Sequence, residues 1–333
     1  MSDLRGHTES RMEIASYQFE GGQISYNLKL YFRTLGSPSI DAEGGINNAI
    51  LLLHNTTGSS DFWLQDEVAS RLFGIGQPLD LSKYFVIAPD ALGFGKSSKP
   101  SDGLKGQFPN FRYNDLVDLT HRLLIDELGV RKLKLIVGIS MGGMLTWLFA
   151  GRHPEMVDAI LPISCQPGPM SGRNWIQRRI SIEAIRNDPD WNGGMYESNP
   201  KHFALAAPIG PMMLRSVTRL QNQAPDRESA DKFYWSFVER ARKSDANDRL
   251  FQLEASMDYD PTPNLHRITA KVTTVSFEDD ELNPIELGVV DRAIVGLPSA
   301  KHIIVPRSPE TEGHMSAKLA HYWEDQIAPL LGC

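Results

Sequence analysis

The segment KLIVGISMGGML, residues 134–145, places one serine among three glycines directly after an apolar, strand-like run. Gly138-Ile139-Ser140-Met141-Gly142 has the pattern G-x-S-x-G, and the segment that follows, MLTWLFAGRHPEMV, suits a helix. A serine held at a sharp strand-to-helix turn is set up as a nucleophile. The turn lifts the hydroxyl clear of the backbone, and small neighbours let strand and helix pass closely. The helix N-terminus behind it favours developing negative charge.

A serine hydroxyl needs a base, and the base needs an orienting acid. On this kind of turn the chain order is serine, acid, histidine. His314 fits the base, following the last apolar run by the loop RSPETEGH, with Gly313 to ease a tight turn and a final helix expected after it. His54 closes the first core strand, where a histidine usually shapes a loop. His302 falls inside a strand, and His321 is expected within the C-terminal helix. The acid should follow the penultimate strand, where KVTTVSFEDDELNP offers Glu278, Asp279, Asp280 and Glu281. Pattern alone does not separate these four. An oxyanion needs two main-chain N–H donors. Met141, next to the nucleophile, supplies one. The loop LLLHNTTGSSDFW supplies the other, for which Thr56 is our choice, with Asn55 and Thr57 beside the substrate.

Positioning these groups requires a sheet. Residues 16–36 alternate around Gly21-Gly22 and predict a hairpin. Apolar runs then recur at 49–54, 84–89, 133–137, 159–164, 271–277 and 302–306. Helical patterns lie between them. In 113–128, Leu116, Leu119 and Leu123 form one stripe. Runs too apolar to face water, alternating with helices, predict a parallel sheet covered on both sides. From 167 to 267 the alternation stops. We read 1–166 and 268–333 as one core and 167–267 as a helical insertion acting as a lid. Trp191, Met212 and Met213 are its expected contributions to the pocket walls.

With 333 residues, 41% hydrophobic, the chain can bury a sizeable core. Its net charge of −7 and lack of a dense basic run argue against nucleic acid. No apolar stretch is long enough to span a membrane, and the polar start MSDLRGHTES resembles no secretion signal. Two cysteines, Cys165 and the terminal Cys333, make a structural disulfide an unattractive reading; a cytoplasmic location is expected. No metal-ligand cluster or dinucleotide fingerprint is visible, so no cofactor or metal is expected. GFGKSSKP lacks the full spacing of a phosphate-binding loop.

Several segments together resemble the homoserine O-acetyltransferase family. These are GISMGGM at the turn, EAIRNDPDWNGGMY (183–196) in the insertion, LEASMDYDP (253–261), DDELNP and EGHMSA. The resemblance runs from about residue 46 to the C-terminus. It implies an α/β-hydrolase fold: a mostly parallel central sheet with an inserted helical lid. It selects Asp280 as the acid, giving a Ser140-His314-Asp280 triad. A homodimer would also fit, since the family's transferases are commonly dimers.

The departures from the family bear on the reaction. After the second core strand this chain has APDALGFGKSSKPSDGL (88–104), similar to the D-x-x-G-x-G-x-S-x-x-P loop of hydrolases that cleave esters and C–C bonds. Where the transferases carry an arginine and a tyrosine for the amino-acid substrate, this chain has Ala207 and Leu214, and Arg215 should point elsewhere. A more apolar pocket and water as the acyl acceptor follow from the resemblance. The expected activity is therefore hydrolysis of small-molecule, short-chain carboxylic esters through an acyl-enzyme. The alternative is acyl transfer from acetyl-CoA to a hydroxylated acceptor such as homoserine. A third reading, a ligand receptor that keeps the fold without turnover, sits poorly with an apparently complete triad.

Overall fold

Eight strands make one sheet in the computed structural model, which describes residues 6–332. Cys333 lies outside the described residues, as do residues 1–5 of the polar start. The strands are β1 (His7–Gln18), β2 (Ile24–Leu35), β3 (Ala49–Leu53), β4 (Phe85–Pro89), β5 (Leu135–Ile139), β6 (Ala159–Ile163), β7 (Lys271–Phe277) and β8 (Ala300–Val305). Their order is β1-β2-β4-β3-β5-β6-β7-β8. From β4 to β8 all pairings are parallel, while β1 and β2 join as an antiparallel hairpin at one edge.

The short central strands are buried on both faces, and their residues divide alternately. Leu51 and Leu53 of β3 and Ile136 of β5 face one core, with Leu116 and Trp147. Ile50, Leu52, Leu135 and Val137 face the other, with Leu72, Trp323 and Ile327. The first core is covered by α2 (Tyr113–Arg122) and α3 (Met141–Arg152). The second is covered by α1 (Asp66–Leu72) and α10 (Ile327–Leu331). Period-two alternation inside an unbroken apolar run is what two-sided burial demands.

Between β6 and β7, residues 167–267 contain no strand. They form α4 (Gly172–Arg186), α5 (Ile209–Met213), α6 (Val217–Gln223), α7 (Arg227–Arg242) and α8 (Ala246–Glu254), with α4 packed on α8. The short α9 (Val289–Ile294) follows β7.

Four expectations are corrected. The hairpin is longer than 16–36, because Met12 and Ile14 carry the buried alternation of β1 further back. β5 is displaced two residues towards Ser140. Leu133 makes only a single bridge to Val157. The helix expected over 113–128 is α-helical to Arg122 and then widens by one turn, with the Leu128 N–H donating to the Leu123 carbonyl at 3.2 Å. Among the described residues no long C-terminal helix follows His314. His314 and His321 lie in short 3₁₀ turns, Gly313–Lys318 and Ala320–Tyr322.

Candidate active site

Ser140 is the hinge between β5 and α3, with φ 54° and ψ −111°. A non-glycine residue in such a conformation costs roughly 1–3 kcal/mol and persists only where its surroundings enforce it. Here the Ser140 N–H donates to the Ile163 carbonyl at 2.8 Å, and its carbonyl accepts from Met144 N at 2.9 Å. The flanking glycines are sterically required. A Cβ on Gly138 would come within 2.2 Å of the Gly142 carbonyl oxygen, and one on Gly142 within 2.1 Å of that of Leu53. The turn is thus pressed against the end of β3.

His314 Nε2 lies 2.8 Å from Ser140 Oγ, and its Nδ1 lies 2.7 Å from Asp280 Oδ2. With Nδ1–H donating to the carboxylate, Nε2 is free to accept the serine proton. Asp280 is 3% exposed and His314 6%, so the relay is shielded from water. Burial by itself would raise the Asp280 pKa. The adjacent His314 ring, the Asn283 side chain and the Leu282 N–H outweigh it and hold the carboxyl below its usual range.

The four neighbouring carboxylates have separate positions. Glu278 accepts from the Arg307 N–H at 2.9 Å. Asp279 Oδ2 accepts from Thr311 Oγ1 at 2.7 Å and from the Gly313 N–H at 3.2 Å, fixing the histidine loop. Glu281 pairs with Arg173 on α4. Asp280 alone of the four meets the imidazole.

The histidine loop is also tied to the insertion. The Met315 N–H donates to the Leu214 carbonyl at 3.2 Å, and Arg219 pairs with Glu312 at 2.8 Å. Gly313 has φ 69°, and a Cβ there would lie 2.4 Å from the Ser216 nitrogen.

Met141 opens α3, and Thr56 lies in the loop beyond β3. His54 shapes that loop: Nδ1–H donates to the Asn55 carbonyl at 2.8 Å, and Nε2 accepts the Ala91 N–H at 3.1 Å. Burial pushes its pKa down, against the opposing pull of the Asn55 carbonyl and Asp90. Asn55, Thr56 and Thr57 line a cavity of about 410 Å³ with Ser59, Gln252 and Lys318. Polar side chains dominate this wall. Beside Met144, Tyr259 and Asn283 lies a second cavity of about 320 Å³. Trp191, Met212 and Met213 line neither. Trp191 Nε1 donates instead to Asn247 Oδ1 at 2.9 Å, and Met212 is 41% exposed. Arg215 turns away to Gln223 and the Pro211 carbonyl.

Sequence reasoning missed Asn283. Its Nδ2 donates to the Ser164 carbonyl at 3.1 Å and to Asp280 Oδ2 at 3.2 Å, and its N–H donates to Asp280 Oδ1 at 3.1 Å. The signal was its place three residues after the acid. Two arginines, Arg178 on α4 and Arg249 on α8, are buried and half-buried, although a helix of mixed polarity usually sends arginine to solvent. Asp188, Asp190 and His202 are close enough to share a cation, but Asp188 already accepts the Phe203 N–H at 2.8 Å and the Asp190 N–H at 3.0 Å, which accounts for it as a turn. Among the described residues no helix is long and apolar enough to cross a membrane.

A strand-turn-helix serine, an acid after β7 and a histidine after β8, on a mostly parallel sheet, define an α/β-hydrolase arrangement. The family model described as the alpha/beta hydrolase fold matches residues 48–308. Homoserine O-acetyltransferase from Haemophilus influenzae is 30% identical over 304 residues, covering 80% of this chain and 82% of that one. An acetylester hydrolase from Corynebacterium glutamicum superposes with TM-score 0.80 at 22% identity, covering 98% and 96% of the two chains. Homoserine O-acetyltransferase from Bacillus anthracis gives 0.83 at 22%, covering 98% of each. The chain belongs to the α/β-hydrolase family, and within it to the members that resemble homoserine O-acetyltransferases. It is an enzyme of that superfamily.

Proposed function

We propose that this protein hydrolyses carboxylic esters through an acyl-enzyme. The observation that carries the reading is the continuous hydrogen-bonded line from Ser140 Oγ through His314 to Asp280. Ser140 Oγ attacks the ester carbonyl while its proton passes to His314 Nε2. The N–H groups of Thr56 and Met141 stabilise the oxyanion. Collapse breaks the bond to the alcohol oxygen, which leaves with the proton from Nε2. Water then gives a proton to Nε2 and its oxygen to the acyl carbon. The acid departs and the serine regains its proton. Asp280 fixes the ring orientation and stabilises the imidazolium without itself taking the proton. The insertion 167–267 covers this site as a lid.

Hydrolysis is favoured over transfer by Ala207 and Leu214, which stand where the transferases this chain resembles carry the arginine and tyrosine that hold the amino-acid acceptor. Transfer is the second reading, supported by the 30% identity to the Haemophilus transferase. A chromogenic acetate ester, assayed with and without homoserine and acetyl-CoA, separates them. Acid release at full rate without an acceptor is expected; turnover that depends on the acceptor would overturn the choice. Ser140→Ala should lower hydrolysis by about 10⁶-fold and abolish fluorophosphonate labelling.

A further inference from the structure

Two guanidinium groups, Arg178 buried and Arg249 half-buried, are neighbours, and among the described residues neither is paired with a carboxylate. Arg178 is 5% exposed; its Nε donates to Asn174 Oδ1 at 3.0 Å, and its Nη1 is buried with no hydrogen-bond partner. Arg249, on the facing helix, neighbours Arg178 and Tyr113. Nearby carboxylates are committed elsewhere: Glu254 to Arg186 at 2.6 Å, Asp258 to Arg112 at 2.8 Å and Asp248 to Ser101 at 2.7 Å. The Tyr113 hydroxyl sits among Arg178, Thr56 and Ser256. The Tyr113 Oη and Thr56 Oγ1 atoms are buried close to one another, and neither makes a hydrogen bond of good geometry. Burial and the neighbouring Arg178 charge pull the Arg249 pKa down to about 10.

A buried cation beside a second, half-buried one is unfavourable in a closed protein, through desolvation and mutual repulsion. Their place explains them. Thr56 is two residues past His54, whose carbonyl oxygen would lie 2.9 Å from a Cβ on Gly142, so the loop carrying Thr56 adjoins the serine turn. Two guanidinium groups and two hydroxyls in this cluster lack one thing, an anion with more than one oxygen.

We propose that Arg178 and Arg249, with the hydroxyls of Tyr113 and Thr56, bind an ionised carboxylate carried by the ester substrate. The preferred substrate is then a monoester of a dicarboxylic acid or an acylated hydroxy acid, not a neutral ester. This rests on the hydrolase reading for the word ester, but the anion pocket is testable without turnover. Bidentate guanidinium–carboxylate contacts are among the stronger hydrogen bonds available to it.

The first measurement is calorimetric titration of Ser140→Ala protein with succinate. Saturable binding is expected, weakened about tenfold or more by adding Arg178→Met. The second compares kcat/KM in the wild type for monomethyl succinate against methyl butyrate, and for acetoxyacetate against ethyl acetate. The charged ester should be preferred by about tenfold or more in one pair. In Arg178→Met or Arg249→Met that ratio should collapse towards one, mainly through KM. Absence of succinate binding, ratios near one in the wild type, or ratios unchanged in both variants would overturn the proposal. Tighter binding of inorganic phosphate than succinate would overturn the carboxylate assignment. Should no ester turn over while succinate binding depends on Arg178, the hydrolase reading fails and the anion pocket stands.

Discussion

At the scale of single residues, the proposed mechanism gives Ser140, His314 and Asp280 separable work. Asp280→Asn should leave the fold intact and lower kcat by about 10⁴-fold, by favouring the wrong imidazole tautomer. Its pH signature has a definite sign. The folded-state pKa of Asp280 is depressed, so its contribution to stability is present above the unfolded carboxyl value of about 3.9. That contribution is lost as pH falls through the lower, folded value. Urea midpoints of wild type and Asp280→Asn should therefore differ by a constant amount at neutral pH and converge below about pH 4. Asn283→Ala removes a donor shared by Asp280 and the Ser164 carbonyl. We expect kcat to fall about tenfold with KM little changed, as fits a positioning residue whose single hydrogen bond is worth about 1 kcal/mol. Ser140 was legible in the sequence because its chemistry forces glycines on its neighbours. The acidic run was not resolvable residue by residue: four adjacent carboxylates look alike until the chain bends, and only the family resemblance pointed to Asp280. Asn283, Arg178 and Arg249 carry no steric mark on neighbouring residues, so nothing in the pattern set them apart.

At the scale of elements, the loop after β8 is held from two directions. Asp279 grips Thr311 and Gly313 from the core, and Leu214 accepts the Met315 N–H from the insertion. Gly313→Ala must either leave its left-handed conformation or push the 215–216 backbone away. A displacement of about 1 Å at the base is enough to cost about 10²-fold in rate. We expect a loss of that order in kcat, with an unchanged far-ultraviolet circular dichroism spectrum. The elements themselves were well marked where burial is two-sided. β3, β4, β6 and β7 lie within a residue of their apolar runs, because five buried residues in succession have few alternatives. β5 slipped, since the apolar Leu133 is buried without being in the ladder. The C-terminal segment failed as a helix because Ser316, Ala317 and Ala320 tuck inward in separate short turns.

At the scale of the whole molecule, a buried arginine joins the edge hairpin to the region of the site. Arg33 on β2 is 4% exposed; it pairs with Glu9 of β1 at 3.0 Å and Asp61 at 2.6 Å, and donates to Ser60 Oγ at 2.8 Å. Ser60 N–H in turn donates to Asp90 Oδ1 at 2.6 Å, at the end of β4. Glu9 and Asp61 remain solvated, so Arg33→Ala should cost about 1–3 kcal/mol rather than the larger penalty of stranding buried charges. The measurement is the urea midpoint, with turnover per folded molecule little changed. The mostly parallel sheet and its two covered faces were implied by alternation of strand and helix. The polar wall of the first cavity was not, because facing groups from residues 55–65, 252 and 318 are brought together only by the completed topology.

The backbone bond between Met315 and Leu214 has a practical outcome for anyone grafting this insertion onto a relative, or its relative's onto this chain. The transplant would carry off one support of the imidazole, so a chimera made at the obvious borders should lose rate even when it accepts its intended substrate. Moving residues 308–318 along with the helices would keep donor and acceptor matched.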